Sequence, residues 1–457
     1  MSASKHKVIE QYFERYAETE VRQLLAPLIE FHAEPNTLSQ SCAYDALCVI
    51  PVYDEAVSSL DDFCRYECAK RIALVLVFNC PLDSGVVDSS PVENDSAAEQ
   101  RTCAALNTLL SRYSFKTLSD GFFVAMANTH AAISRPDIYV IDRTQDERRL
   151  PEKQGVGLAR KLGLDFALAL SLVSLKQCHT IPTWLHSCDA DVVLPAGYFD
   201  IPAPRSEQAV SLYPYRHNAK SGYETAMALY DLTLAYYVDR LSYAGSPYSF
   251  HTIGSTIAVT PKAYAQVRGM PKRSGGEDFY FLNKLAKVGC VDSLHAPILD
   301  IEGRPSARVP FGTGPALSRI QQMEDPLKDY SCYHPLIFER LKAVLAVAQS
   351  CSASQVSMDT FMHELSTGLE AKEFNEVQSV LQNLNIARFF NHLKKQTHSA
   401  TFWVLFSTWF DAFVTLKFIH GLRDLAYPNV ATEALQSYHS LLSNPLNDRI
   451  KTLVSGA

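Results

Sequence analysis

The amino-acid sequence predicts an α/β protein: a Rossmann-like, mostly parallel central sheet, with an N-terminal helical segment and a helical C-terminal domain. Three observations predict it. Apolar runs such as 46–52 and 72–78 read as strands buried on both faces, as in a parallel sheet. Helical patterns long enough for crossovers lie between such runs. From residue 325 onward only helical patterns remain.

Residues 5–33 place Val8, Ile9, Phe13, Tyr16, Val21, Leu24, Leu25 and Leu28 at helical spacing among charges. A Ser/Asn/Pro-containing break at 34–40 closes that segment. Strand 46–52, helix 60–70 and strand 72–78 then begin the sheet. Residues 81–99 carry Asp83, Asp88, Glu93, Asp95 and Glu99, no basic residue, and several Ser and Pro, which predicts an exposed loop. A helix over 100–113 leads to strands at 121–125 and 138–141. A helix over 155–175 feeds, past Pro182, the strand 183–188. A helix over 219–243, a strand at 256–259 and a helix over 277–288 complete the sheet domain. Further helices are expected over 335–349, 358–369 and 371–390, with two more to the end. The expected segments are therefore 1–40, 41–324 and 325–457.

Composition narrows the function. Apolar residues make up 47% and charged residues 20%, an ordinary globular balance. The net charge is −7 and the basic runs (Arg148-Arg149, Lys394-Lys395) are short, so nucleic acid is not expected as the main partner. The first twenty residues lack the apolar core of a secretory signal, and the eleven cysteines show no CxxC spacing. A reduced, cytoplasmic setting is expected, including the inner face of a membrane. Residues 401–421 are long enough to span a bilayer, but Asp411 and Lys417 are costly at its centre. A buried or amphipathic helix is the expectation there.

Four stretches carry chemistry. WLHSCDADVVLPAGYF, residues 184–199, runs an apolar strand straight into Asp189 and Asp191. In an extended segment, i and i+2 face one side. Carboxylates at a strand's carboxyl end sit where open α/β sheets bind ligands. Such hard oxygens suit Mn²⁺ or Mg²⁺ alongside substrate phosphates. Alone, this spacing is as readily a turn or an N-cap. CVIPVYDE, residues 48–55, ends a buried strand with Pro51, Tyr53, Asp54 and Glu55, an aromatic to stack a base and acids to bond it. KQGVGLARKLG, residues 153–163, combines glycines, a helix start and the cations Lys153, Arg160 and Lys161, which together suit a pyrophosphate. SGGEDFYFLNKLAKVG, residues 274–289, puts Glu277 and Asp278 at a helix start, where the dipole favours acids and where a carboxylate can act as general base.

In this order the four stretches resemble family-2 glycosyltransferases of the GT-A fold over roughly residues 45–315. CVIPVYDE looks like the family's first nucleotide-binding strand, LHSCDAD like its DxD strand, GGEDFYF like its catalytic ED helix, and GVGLARKLGLDFAL like its glycine-rich helix. The resemblance implies transfer of a sugar, a hexose by expectation, from a nucleotide-sugar donor to an acceptor hydroxyl, with a divalent metal and inversion. Asp191 would hold the metal, and Asp189 the metal or the ribose. Asp278 would be the base, with Glu277 near the acceptor. Pro51, Tyr53, Glu55, Lys153 and Arg160 would line the donor. SARVPFGTGPAL, residues 306–317, resembles a segment of a bacterial subgroup of undefined acceptor, and its Arg308 would reach the diphosphate. His295 or His251 would complete the metal's ligands. The family usually places an Asp after its second strand to hold the base; Asn79 stands here, with Asp142 as the expected substitute, and uridine and guanosine both stay open.

A nucleotidyltransferase would carry a glycine-rich, basic loop after the first strand, where PVYDE stands. A non-catalytic nucleotide- or carbohydrate-binding protein is the reading of another class. The acceptor is not legible. Three uses are open to the C-terminal helices: completing the acceptor site, pairing two copies as a homodimer, or touching a membrane as a peripheral contact.

Overall fold

Seven residues in unbroken apolar sequence, Ala46–Val52, form the central strand β1, every one of them buried. It pairs in parallel with β2 (Ile72–Asn79) along its whole length. The computed structural model describes residues 2–33, 43–82, 95–127, 135–305, 312–351, 356–394 and 401–455. Numbered in chain order, the remaining strands used below are β3 (Lys116–Ser119), β4 (Phe122–Ala125), β5 (Asp137–Arg143), β6 (Trp184–Ser187), β7 (Val192–Val193), β8 (Gln208–Leu212), β9 (Tyr215–Ala219), β10 (Ile257–Val259), β11 (Cys290–Ser293) and β12 (Leu299–Gly303).

Nine of these strands form one sheet in the order β11-β8-β10-β6-β1-β2-β5-β4-β3. The block β6-β1-β2-β5 is parallel throughout. Flanking it, β10 and β4 run antiparallel to β6 and β5. A second sheet of β9, β12 and β7 stands beside the end of β6. Pro51 is tolerated in a central strand because the β1–β6 pairing ends at Val49 and Ser187; beyond that point no ladder on that side needs its missing N–H.

The chain forms two units, residues 1–218 with 252–302, and residues 219–251 with 303–457. In the first, the sheet is covered by α1 (Ser2–Tyr16), α2 (Thr19–Gln23), α3 (Leu25–Ala33), α4 (Val57–Cys64), α5 (Asp95–Arg112), α6 (Gly155–Cys178), α8 (Pro261–Gln266) and α9 (Glu277–Leu285). The helix α6 is buried over most of its length. Gly163 lets it lie against the sheet, since a Cβ there would overlap the Val49 side chain. The N-terminal helix is tied to α6 by buried polar groups. Asp165 accepts from the Tyr12 hydroxyl at 2.5 Å, the Tyr264 hydroxyl at 2.7 Å, Lys161 Nζ at 2.8 Å and the Glu18 N–H at 2.8 Å.

The second unit is helical. Its core joins Leu232 and Tyr236 of α7 (Glu224–Tyr243) to Phe338, Leu341, Phe361, Leu381, Phe406 and Phe418. The helix α7, read from sequence as part of the sheet domain, groups with the C-terminal helices. The pattern over 371–390 divides into Ala371–Asn383 and Ile386–Leu393 at Asn385, whose φ is 65°. The apolar stretch 401–421 also divides, into Phe402–Trp409 and Ala412–Leu425, bent by 69°. Asp411 causes that break. Its Oδ1 accepts the N–H groups of Phe413 and Val414, each at 3.0 Å, and so caps the second helix. Among the described residues no single helix is long and apolar enough to cross a membrane; that bent pair passes the length and composition test only when taken together.

Candidate active site at the carboxyl edge of the parallel strands

Parallel neighbours end on the same side, so the loops after β1 and β6 leave one edge of the sheet. The Cys188 N–H donates to the Val49 carbonyl at 2.9 Å, carrying the pairing one residue past β6. Pro51 is buried within β1, and Tyr53, Asp54 and Glu55 follow it, each half-buried. Asp54 has a φ of 58°. Its side chain accepts from Arg101 Nε at 2.6 Å, and its N–H donates to Thr102 Oγ1 at 2.8 Å. The loop is therefore held to α5 through Asp54, with Tyr53 and Glu55 on either side of that tie.

After β6, Asp189 and Asp191 stand in a turn closed by the Val192 N–H on the Asp189 carbonyl at 3.3 Å. This corrects the extended geometry read from their spacing: the strand ends at Ser187, and residues 189–192 form a turn instead. Both aspartates are half-buried around buried Ala190. The Glu302 N–H donates to the Asp191 carbonyl at 3.1 Å, which fixes the turn to β12. Beneath it lies an aromatic layer in which Tyr198 and Tyr213 stack at 4.6 Å beside His186. Burial pushes His186 down to about 3, so the imidazole is neutral and supports the turn as packing.

Arg160 of α6 reaches the same place from the other side. Its side chain is 4% exposed. Its Nη2 donates to Asp189 Oδ1 at 2.5 Å, Nε to Glu277 Oε1 at 3.1 Å, and Nη1 to Ser187 Oγ at 2.8 Å and to the Cys188 carbonyl at 3.2 Å. Burial opposes its charge, but Asp189 and Glu277 outweigh that and raise its pKa above the ordinary arginine value. One guanidinium thus joins the DAD turn to the ED helix.

Gly276, with a φ of 67°, precedes that helix, α9, and Glu277 and Asp278 form its first turn. Glu277 is buried against Arg160. Asp278 is half-buried, and its Oδ1 accepts the Phe279 N–H at 2.7 Å. Its carboxyl is pushed up to about 7, first by burial and then by the neighbouring charge of Glu277, against the pull of the Phe279 N–H and Arg160. A carboxyl poised there exchanges protons near neutrality.

The other expected residues take the following places. The Gly-rich start of α6 is filled by protein: the Gly157 N–H donates to the Arg273 carbonyl at 2.9 Å, and a Cβ on Gly157 would meet Arg273 N and O at 2.6 Å. The glycines admit the loop before α9, and Arg160 and Lys161 are paired with carboxylates. Lys153 is exposed just before α6. Asp142 is spent locally, accepting Thr144 N at 2.8 Å and Arg148 Nη2 at 3.1 Å. Asn79, at the end of β2, is 9% exposed, level with Arg143 of β5. His295 is exposed beyond β11, His251 belongs to the second unit, and Arg308 lies outside the described residues.

Among the described residues no group of three or more His, Cys, Asp or Glu side chains forms a metal cage. Two loop carboxylates nonetheless fit Mg²⁺ or Mn²⁺, which are commonly held by one or two carboxylates, waters and substrate phosphates. Asp189 and Asp191 are the residues that would supply such carboxylates here. Sequence reasoning missed Ser187 and Gly254 as Arg160's neighbours; a Cβ on Gly254 would come within 2.6 Å of Nη2. No local pattern marks either, because their partner is distant in the chain.

No protein-family model matches this chain, and no curated protein matches it. Among solved structures it is similar to the mannosyltransferase PcManGT from Pyrobaculum calidifontis in complex with GDP-Man and Mn²⁺, at 12% identity and a TM-score of 0.30, over 93% of this chain and 96% of that one. A likeness of that depth leaves the site to be read from its own residues.

Proposed function

We propose that the chain is a glycosyltransferase on a GT-A scaffold of the family-2 kind, moving a sugar from a nucleoside-diphosphate sugar to an acceptor hydroxyl with inversion. The observation that supports this is the Arg160 junction: it brings an acidic turn at the carboxyl edge of a parallel sheet together with an acidic helix start carrying a near-neutral carboxyl. In this reading Tyr53 and Glu55 receive the base, and Asp189 and Asp191 receive the ribose and the cation. A bound Mn²⁺ or Mg²⁺ would offset the charge that develops on the departing diphosphate. Asp278 takes the proton of the acceptor hydroxyl as that oxygen bonds to the anomeric carbon and the bond to the diphosphate breaks.

The test is calorimetric titration with UDP and GDP in the presence of Mn²⁺. The wild-type chain binds at least one of them, and Asp191→Ala abolishes the Mn²⁺-dependent part of that binding. A wild-type chain that binds neither contradicts the proposal.

A further inference from the structure

The Arg160 guanidinium is held on all three nitrogens by protein atoms. They meet Glu277, Asp189, Ser187 and the Cys188 carbonyl, and Gly254 packs against the group so closely that a Cβ there would overlap Nη2. The side chain is enclosed, and its charge is already answered by two carboxylates. A cation so placed is poorly suited to meet a donor phosphate. What it does instead is join two segments distant in sequence, the turn bearing Asp189 and Asp191 and the helix bearing Asp278.

We propose that Arg160 is a positioning residue for the transfer, an inference that rests on the glycosyl-transfer reading above. It sets the spacing between the donor-side turn and the base-bearing helix, and Glu277 is its anchor on that helix rather than an acceptor contact. Transfer rate is sensitive to such spacing, because reacting groups held a short distance from the productive geometry lose most of their advantage. The planar guanidinium suits this role because it donates in three directions at once, whereas an ammonium on a flexible stem cannot span the same set.

The experiment uses the full chain and a donor that the wild type turns over. Arg160→Lys keeps the charge and loses the fork. The expected result is a kcat lower by about 10²-fold, with donor KM and the Kd for the nucleoside diphosphate within about threefold of wild type, the signature of an interaction that matters in the transition state. A kcat within about threefold of wild type would show that charge alone suffices and would overturn the inference. So would a Kd weakened as much as kcat falls, since Arg160 would then be holding the donor. If Arg160→Lys does not fold, Glu277→Gln carries the test: kcat falls with Kd unchanged, and an unaltered kcat overturns the inference. Absence of turnover by the wild type with every donor overturns the glycosyl-transfer reading itself; turnover with an indifferent Arg160→Lys overturns only the positioning role.

Discussion

Arg160 Nε donates to Glu277 Oε1 at 3.1 Å, with both side chains buried, so one acid of the ED pair faces inward to an arginine while its neighbour Asp278 stays half-buried. Adjacent carboxylates on one helical turn thereby take different roles. The inward one is paired with the guanidinium and fixes the helix. The other keeps an elevated pKa through burial and through the charge beside it.

Removing the inward partner leaves the buried Arg160 guanidinium with only the half-buried Asp189 as a hydrogen-bonded carboxylate. Glu277→Ala is expected to cost about 3–5 kcal/mol, the usual consequence of breaking a buried ion pair from one side. Urea unfolding followed by a probe in the sheet unit measures it. A loss under about 1 kcal/mol, the scale of an exposed pair, would contradict the burial described here.

Asp278 predicts two pH dependences. As a base it must be ionised, so kcat/KM should fall below about pH 7 in wild type. Asp278→Asn should cut transfer by orders of magnitude at every pH while leaving nucleotide binding intact. Stability runs the other way. A carboxyl raised in the folded state favours folding most below its unfolded pKa, and that contribution is lost as pH rises through about 7. Melting temperatures of wild type and Asp278→Asn should therefore diverge between acidic and neutral pH, with wild type falling relative to the variant. A constant difference would count against the raised pKa.

Gly157→Ala tests the packing of α6 on the loop before α9. In an open helix interior this change stabilises by roughly 0.5–1 kcal/mol. Here the new Cβ would meet Arg273 backbone atoms at 2.6 Å, so overpacking is expected to cost about 1–3 kcal/mol. Thermal denaturation decides the sign.

Asp165→Asn tests the anchoring of the N-terminal helix. Asp165 accepts from two tyrosine hydroxyls, a lysine and a backbone N–H. The amide would leave Lys161 without its buried counter-charge, at about 3–5 kcal/mol. Limited proteolysis should then cut within residues 2–33 at protease levels that leave the wild type whole; an unchanged digestion pattern would speak against the tether.

The parallel core was legible because β1, β2 and β5 are buried on both faces and so carry apolar runs: all of β1, residues 72–78 of β2 and residues 138–141 of β5. The place of Asp189 and Asp191 followed from the same fact, since they succeed an apolar strand. Strand β7 escaped notice because it is only two residues long, and β12 because polar and apolar residues alternate along it. The break at Phe410–Asp411 was hidden because a capping aspartate in an apolar run reads first as an interruption of one helix. For Arg160 and the glycines of α6 the sequence shows a cation beside glycines at a helix start, and only the fold brings up their distant partners Asp189, Glu277 and Arg273.

Whether the DAD turn and Asp278 together transfer a sugar is measured most directly by release of nucleoside diphosphate. A panel of UDP- and GDP-sugars with Mn²⁺ is offered to wild type and to Asp278→Asn side by side. Wild type should release nucleotide from at least one donor, and the variant should bind the same nucleotide equally well but release it orders of magnitude more slowly. Normal turnover by Asp278→Asn, or no release by wild type from any donor, would contradict that assignment.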